Sequence, residues 1–127
     1  MSYEVKGEIL GFEKIKHIEL VEIDELFSTI KDVDHDKISF TVVNPYALRE
    51  YSFDLSTAFK ILLDIKENTK FSVYNVVVIQ EPLEESAINF LAPIILNHDN
   101  KTAAQIVLKG HKHPDFGMTE TIKSFKS

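Results

Sequence analysis

The chain has 127 residues, enough for one domain with a core of its own, and its lack of cysteine excludes disulfides, thiolate metal sites and a cysteine nucleophile. Its net charge of −6 is uneven: residues 1–97 carry 17 acidic and 9 basic side chains, whereas residues 98–127 carry 3 acidic and 5 basic. An acidic body argues against direct nucleic-acid binding and favours a basic protein partner.

The start, "MSYEVKGEIL", is charged and alternating, unlike a signal peptide. No apolar stretch reaches the ~20 residues of a membrane helix, so the expected location is the cytoplasm and no membrane partner is expected. Tyr3, Val5, Gly7 and Ile9 share one face while Glu4, Lys6 and Glu8 face water, which predicts a half-buried strand. Residues 14–20 and 25–30 read as two more short strands. "DVDHDK" (32–37) gathers three carboxylates and His35 but lacks the sixth-position glycine and distal glutamate of a calcium loop; it reads as a solvated turn. Ile38, Phe40 and Val42 alternate with Ser39 and Thr41 until Asn44-Pro45 stops the strand.

"YSFDL" alternates Tyr51, Phe53 and Leu55, predicting another strand. One stretch alone has a helical period: in "STAFKILLDIKEN" Ala58, Phe59, Leu62, Leu63 and Ile65 form an apolar face, with Ser56 as cap. "FSVYNVVVIQ" (71–80) is apolar on both faces and β-branched, as a central strand should be. A short turn fits "PLEESA". "INFLAPIILN" and "TAAQIVLKG" are separated by "HDNK", where Asp99-Asn100 suits a hairpin. After Gly110 no period persists, which predicts a stable unit over 1–110 and a mobile, dispensable tail over 111–127, although Phe116, Ile122 and Phe125 could dock. The sum is an all-β chain, a small antiparallel barrel or sandwich with one or two short helices.

Chemistry is scarce. Four scattered glycines make no phosphate loop, and the serines lack a nucleophile-elbow context. His17 sits in a strand pattern. His111-x-His113 with Asp115 could ligate a metal, but Pro114 and the tail setting weigh against it. No catalytic residue, cofactor or metal is expected. Two alternatives remain: a small-ligand-binding β-barrel, or a metal-dependent enzyme using His111 and His113.

The polar residues inside apolar runs are more telling: Asn75, Asn89, Asn97 and Gln105. Pro93 cannot donate to a ladder and should mark a bulge, a strand start or an exposed edge. Ile88, Phe90, Ala92, Ile94 and Leu96 form the core face of the run. Asn89, Leu91, Pro93, Ile95 and Asn97 share the other, a mixed face suited to an interface. Equally, the amides could satisfy loose backbone groups at strand ends.

"FTVVNPY" (40–46), "VYNVVVIQ" (73–80), "NFLAPIILN" (89–97) and "QIVL" (105–108) together resemble the flagellar assembly factor family FliW, from Tyr3 to about Gly110. Asn89, Ala92, Pro93, Ile94 and Asn97 carry its most specific part. The resemblance implies a non-enzymatic, β-barrel-like cytoplasmic protein that binds flagellin. It also implies binding to CsrA, an RNA-binding translational repressor, so that repression of flagellin mRNA is relieved. The partner surface is then expected at Asn44, Pro45, Tyr46, Asn89, Pro93, Asn97 and Gln105. The carboxylates Glu19, Glu22, Asp24 and Glu25 are too interspersed to mimic RNA, and the resemblance implies action away from the repressor's RNA site.

Overall fold

A computed structural model describes residues 2–35 and 37–125. Asp36 of the "DVDHDK" turn, and Met1, Lys126 and Ser127 at the ends of the two predicted units, lie outside the described residues. The alternating segments become β1 (Ser2–Val5), β2 (His17–Glu22), β3 (Phe27–Asp32) and β4 (Ser39–Val43). After helix α1 (Thr57–Leu63) come β5 (Phe71–Val78), β6 (Ala87–Ile88), β7 (Ile94–Asn97), β8 (Thr102–Gln105) and β9 (Glu120–Thr121).

Seven strands run in the order β4-β3-β2-β1-β8-β7-β5, and β5 returns to β4 through Val42↔Val76 and Val43↔Asn75, closing a barrel. The β-rich barrel expected from alternation is therefore present. One pairing departs from an antiparallel barrel: β1 lies parallel to β8, with Glu4 opposite Thr102 and Val5 opposite Ala103. β6 extends the far end of β5, and β9 pairs with β6.

Two cores share the wall. Ile18, Ile30, Phe40, Val42, Ile94, Leu96 and Ala103 fill the barrel. Val43, Val73, Val77, Ile95 and Ala104 belong to a second core outside it, with Phe59 and Leu63 of α1, Tyr51, Ile88, Phe90 and Ile122. Successive residues of β7 thus alternate between two dry environments, which is why this run is apolar on both faces.

Residues 51–55 keep the expected alternation of burial but form no strand. Tyr51, Phe53 and Leu55 pack one face onto the outer core, so period-2 burial here reports an extended segment lying on the wall, outside every ladder. The α1 helix starts as expected, with Ser56 Oγ accepting from Phe59 N at 3.1 Å, and ends at Asp64 in the left-handed region (φ 56°). Phe59 and Leu63 are buried, while Ile61 and Leu62 face solvent. In the 98–101 turn the positive φ falls on Lys101 (58°), one residue past the Asp99-Asn100 pair.

The segment after Gly110 makes defined contacts, the docking that Phe116, Ile122 and Phe125 allow. Ile122 is buried and its N–H donates to Ser86 O at 3.1 Å, while Phe90 N donates to Gly117 O at 2.9 Å. Arg49 lies over the rings of Phe116 (4.9 Å), Phe90 (5.3 Å) and Phe125 (5.7 Å) and donates from Nη1 to Asp115 O at 3.1 Å. These anchors occur singly along the chain, so no sequence period announces them. Among the described residues no helix is long and apolar enough to cross a membrane.

Candidate partner-binding surfaces

The buried amides act on backbone. Asn97, 1% exposed, donates from Nδ2 to Leu63 O at 2.7 Å and accepts at Oδ1 from Asp99 N (2.9 Å) and Asn100 N (3.4 Å). It joins the last turn of α1, whose carbonyls lack intrahelical partners, to the β7–β8 turn. Asn75, on the outward face of β5, donates from Nδ2 to Asn89 O (2.9 Å) and to Tyr51 Oη (3.2 Å). The Tyr51 hydroxyl in turn donates to Phe90 O, and burial pushes its phenol up to about 12. Among the described residues, Asn75 Oδ1 is buried without a partner.

Around Pro93 the same logic holds. The proline stands immediately before β7, the strand-start option, and its carbonyl accepts from Ile106 N at 2.9 Å. Asn89 Oδ1 accepts from Leu91 N at 3.0 Å. Gln105 donates from Nε2 to Ala92 O (3.0 Å) and accepts at Oε1 from Leu10 N (2.8 Å). Three amides therefore hold the irregular 89–93 backbone, where no ladder can.

The seven residues expected on one surface separate. Pro45, Pro93 and Asn97 are buried inside this chain, so their side chains offer a partner little. Asn44 accepts at Oδ1 from Tyr46 N (3.1 Å), capping the turn that leaves Tyr46 55% exposed. Asn44 and Tyr46 line an open cleft of about 210 Å³ with Phe71, Ser72 and Val73. Asn89 and Gln105 line a different one, also about 210 Å³, with Leu10, Val78, Ala92 and Met118.

A third groove, of about 250 Å³, contains none of the seven expected residues. Ile23, Phe27, Thr41, Ile79 and Leu83 line it. Its signal was present: Val21 and Ile23 are apolar where the alternation of β2 calls for polar side chains.

The histidines disperse. His113 stacks on Phe116 (5.4 Å, 3°), and among the described residues no group of three or more His, Cys, Asp or Glu is gathered to hold a metal. In the 32–35 turn, buried Asp32 accepts from Asp34 N (3.0 Å) and pairs with His35 Nδ1 (3.1 Å), while His17 Nδ1 lies 3.3 Å from Asp34. His98 bridges Tyr3 Oη (2.8 Å) and Ser72 Oγ; burial first, then Lys101, lowers its pKa.

The fold and clefts define a small, seven-stranded closed β-barrel with open surface recesses. A solved structure described as the crystal structure of the flagellar assembly factor FliW has the same fold: TM-score 0.86 at 19% identity, over 99% of this chain and 86% of that one. The family model described as FliW protein matches residues 2–120. Flagellar assembly factors FliW 1 and FliW 2 of Wolinella succinogenes are 51% and 50% identical over 125 residues. Each alignment covers 98% of this chain, with 98% of the first relative and 92% of the second. The flagellar assembly factor FliW of Campylobacter lari is 41% identical over 98% of this chain and 96% of its own length. The chain belongs to the FliW family of flagellar assembly factors.

Proposed function

We propose that this protein is a cytoplasmic flagellar assembly factor that binds flagellin and, when flagellin is exported or sequestered, binds the CsrA-type translational regulator and relieves its repression of flagellin mRNA. Membership of the FliW family over residues 2–120 carries the reading. The open clefts around Tyr46, of mixed polar and apolar lining, and around Asn89 and Gln105, mostly apolar, fit protein ligands, and the acidic body suits a basic partner. The protein acts on the regulator away from its RNA site, and the two ligands are coupled through the regulator. Such coupling is reciprocal and typically amounts to about 1–3 kcal/mol, a factor of about 5–150.

Labelled RNA titrated with regulator at rising concentrations of this protein tests the proposal. The apparent RNA dissociation constant is expected to rise and then level off. A constant that climbs without limit means simple competition, and no effect at any concentration means that the regulator is not a partner.

A further inference from the structure

The first residues of β5 use their two edges unequally. His98 N donates to Lys70 O at 2.9 Å, and Phe71, Ser72 and Val73 stand opposite Asn97, Leu96 and Ile95. Bonded positions alternate in an antiparallel pair. Ser72 and Tyr74 therefore bond β7, while the N–H and C=O of Phe71 and Val73 point the other way, toward β4. There the register Val43↔Asn75 would bring Pro45 opposite Val73 and Ala47 opposite Phe71. The chain turns away instead. Pro45 has no N–H, and its carbonyl accepts from Leu48 N (3.0 Å) and Arg49 N (3.1 Å) around the turn Pro45–Ala47. Among the described residues nothing bonds the backbone N–H or C=O of Phe71 or Val73.

These groups open into the cleft of about 210 Å³ that Asn44, Tyr46, Phe71, Ser72 and Val73 line. Tyr46 and Phe71, 55% and 42% exposed, set two rings at its rim, whereas Val73 is 4% exposed and lies at its floor. An unpaired edge is a template for another strand. The wall of a second barrel is too broad to enter so small a recess; a single extended segment fits. Residues 39–48 and 70–79, which supply the lining, contain no acidic side chain, and Lys70 is their one charge. Recognition here is by backbone and ring, without ion pairs.

We infer that the open edge of β5 takes an extended segment of flagellin as an added strand, bonded to Phe71 and Val73, with its apolar side chains against Tyr46 and Phe71. The inference rests on the proposed function, which offers two partners. Strand addition needs a segment that its own protein has not already paired. A regulator must be folded to hold RNA, whereas a subunit held before assembly still has its intersubunit surfaces free. Flagellin is therefore the occupant.

The test uses full-length protein with purified flagellin and purified CsrA-type regulator as separate probes. Phe71 is the first residue of β5, a position where proline is tolerated. Phe71→Pro deletes the open N–H and leaves the bonds of Ser72 and Tyr74 to β7; Phe71→Ala deletes the ring and keeps the N–H. Flagellin is expected to bind Phe71→Pro at least about threefold more weakly than Phe71→Ala, the worth of one main-chain hydrogen bond, with regulator affinity equal in the two. Should Phe71→Pro melt well below Phe71→Ala, amide exchange in the wild type decides: bound flagellin should slow the Phe71 and Val73 amides at least about tenfold. Equal flagellin affinities in two folded variants, or exchange that flagellin leaves unaltered, overturns the edge assignment while the functional reading stands. A loss shared with the regulator, or confined to it, overturns the choice of occupant. Wild-type protein that binds neither partner overturns the functional reading, and the inference with it.

Discussion

On β2 the outward side chains His17, Glu19 and Val21 all face water; on β7 the outward Ile95 is wholly buried. The two strands sit in the same barrel and turn similar inner faces, Ile18 and Ile94, to the same core. They differ in what lies outside. β7 and β5 are roofed by α1, the 51–55 segment and the chain beyond Gly110, whereas β2 and much of β3 are bare. Under the roof a polar outward residue calls for partners, as Asn97 has in Leu63 O and Asp99 N. On the bare side the polar residue is ordinary and the apolar one, Val21 or Ile23, asks for an explanation.

That contrast can be broken most forcefully at Phe90, fully buried between the wall and Tyr51, Arg49 and Phe125. Phe90→Ala should lower unfolding free energy by about 3–5 kcal/mol. Losing apolar bulk on the bare side, in Val21→Ser, should change it by less than about 0.5 kcal/mol. Urea denaturation reads both, and similar losses would mean the roof adds nothing.

Truncation after Gly110 strips part of the roof. Burial of Ile122 together with the half-buried rings of Phe116 and Phe125 makes a loss of about 3 kcal/mol the expected outcome. A melting temperature within a few degrees of the full chain would restore the dispensable-tail expectation.

Asn97→Ala separates roof attachment from partner contact. It leaves Asp99 N and Asn100 N without their acceptor and Leu63 O with Asn100 Nδ2 alone. A loss of about 1–3 kcal/mol is expected, with flagellin and regulator affinities unchanged. Normal stability with impaired binding would move Asn97 to the partner surface.

The smallest effect concerns His98, at the rim where β7 meets β8. Its pKa in the folded protein lies below the ordinary 6.5, because burial and Lys101 disfavour the imidazolium against the weaker pull of Asp99. The stability it contributes is therefore complete above 6.5 and lost as pH falls below that value through the folded pKa. Urea midpoints compared at about pH 7.5 and about pH 5.5 should fall further for wild type than for His98→Gln. Equal falls would remove His98 from the account.

How far the residues alone disclosed this depended on the same inside–outside distinction. β1 to β4 were legible because polar and apolar residues alternate along them, as Phe40 and Val42 do with Ser39 and Thr41. The two-faced burial of β5 was legible from "FSVYNVVVIQ", and Pro93 at a strand start was among the options its chemistry allows. The 51–55 segment has the sequence of a strand without being one, because alternation reports burial and hydrogen-bond partners leave no trace in it. Which of its two possible roles Asn97 takes up in the fold is not legible in the sequence for a related reason: its face of β7 is covered only because α1 docks there, and docking is a long-range fact. The Tyr46 cleft could be suspected from Asn44-Pro45, but the Ile23–Leu83 groove unites segments some 60 residues apart and needed the fold.

The parallel contact of β1 with β8 bears on how the chain is made. Val5 leaves the ribosome long before its neighbour Ala103 is added. Until then β1 can pair only with β2, and the growing polypeptide is an open sheet with its hydrophobic lining unsealed. Vectorial synthesis thus cannot complete this barrel piece by piece; closure is a late, long-range event, of the slow kind that chaperones guard. A ribosome stalled before residue 102 should hold a protease-sensitive chain, and one stalled with the full sequence outside the tunnel a resistant one.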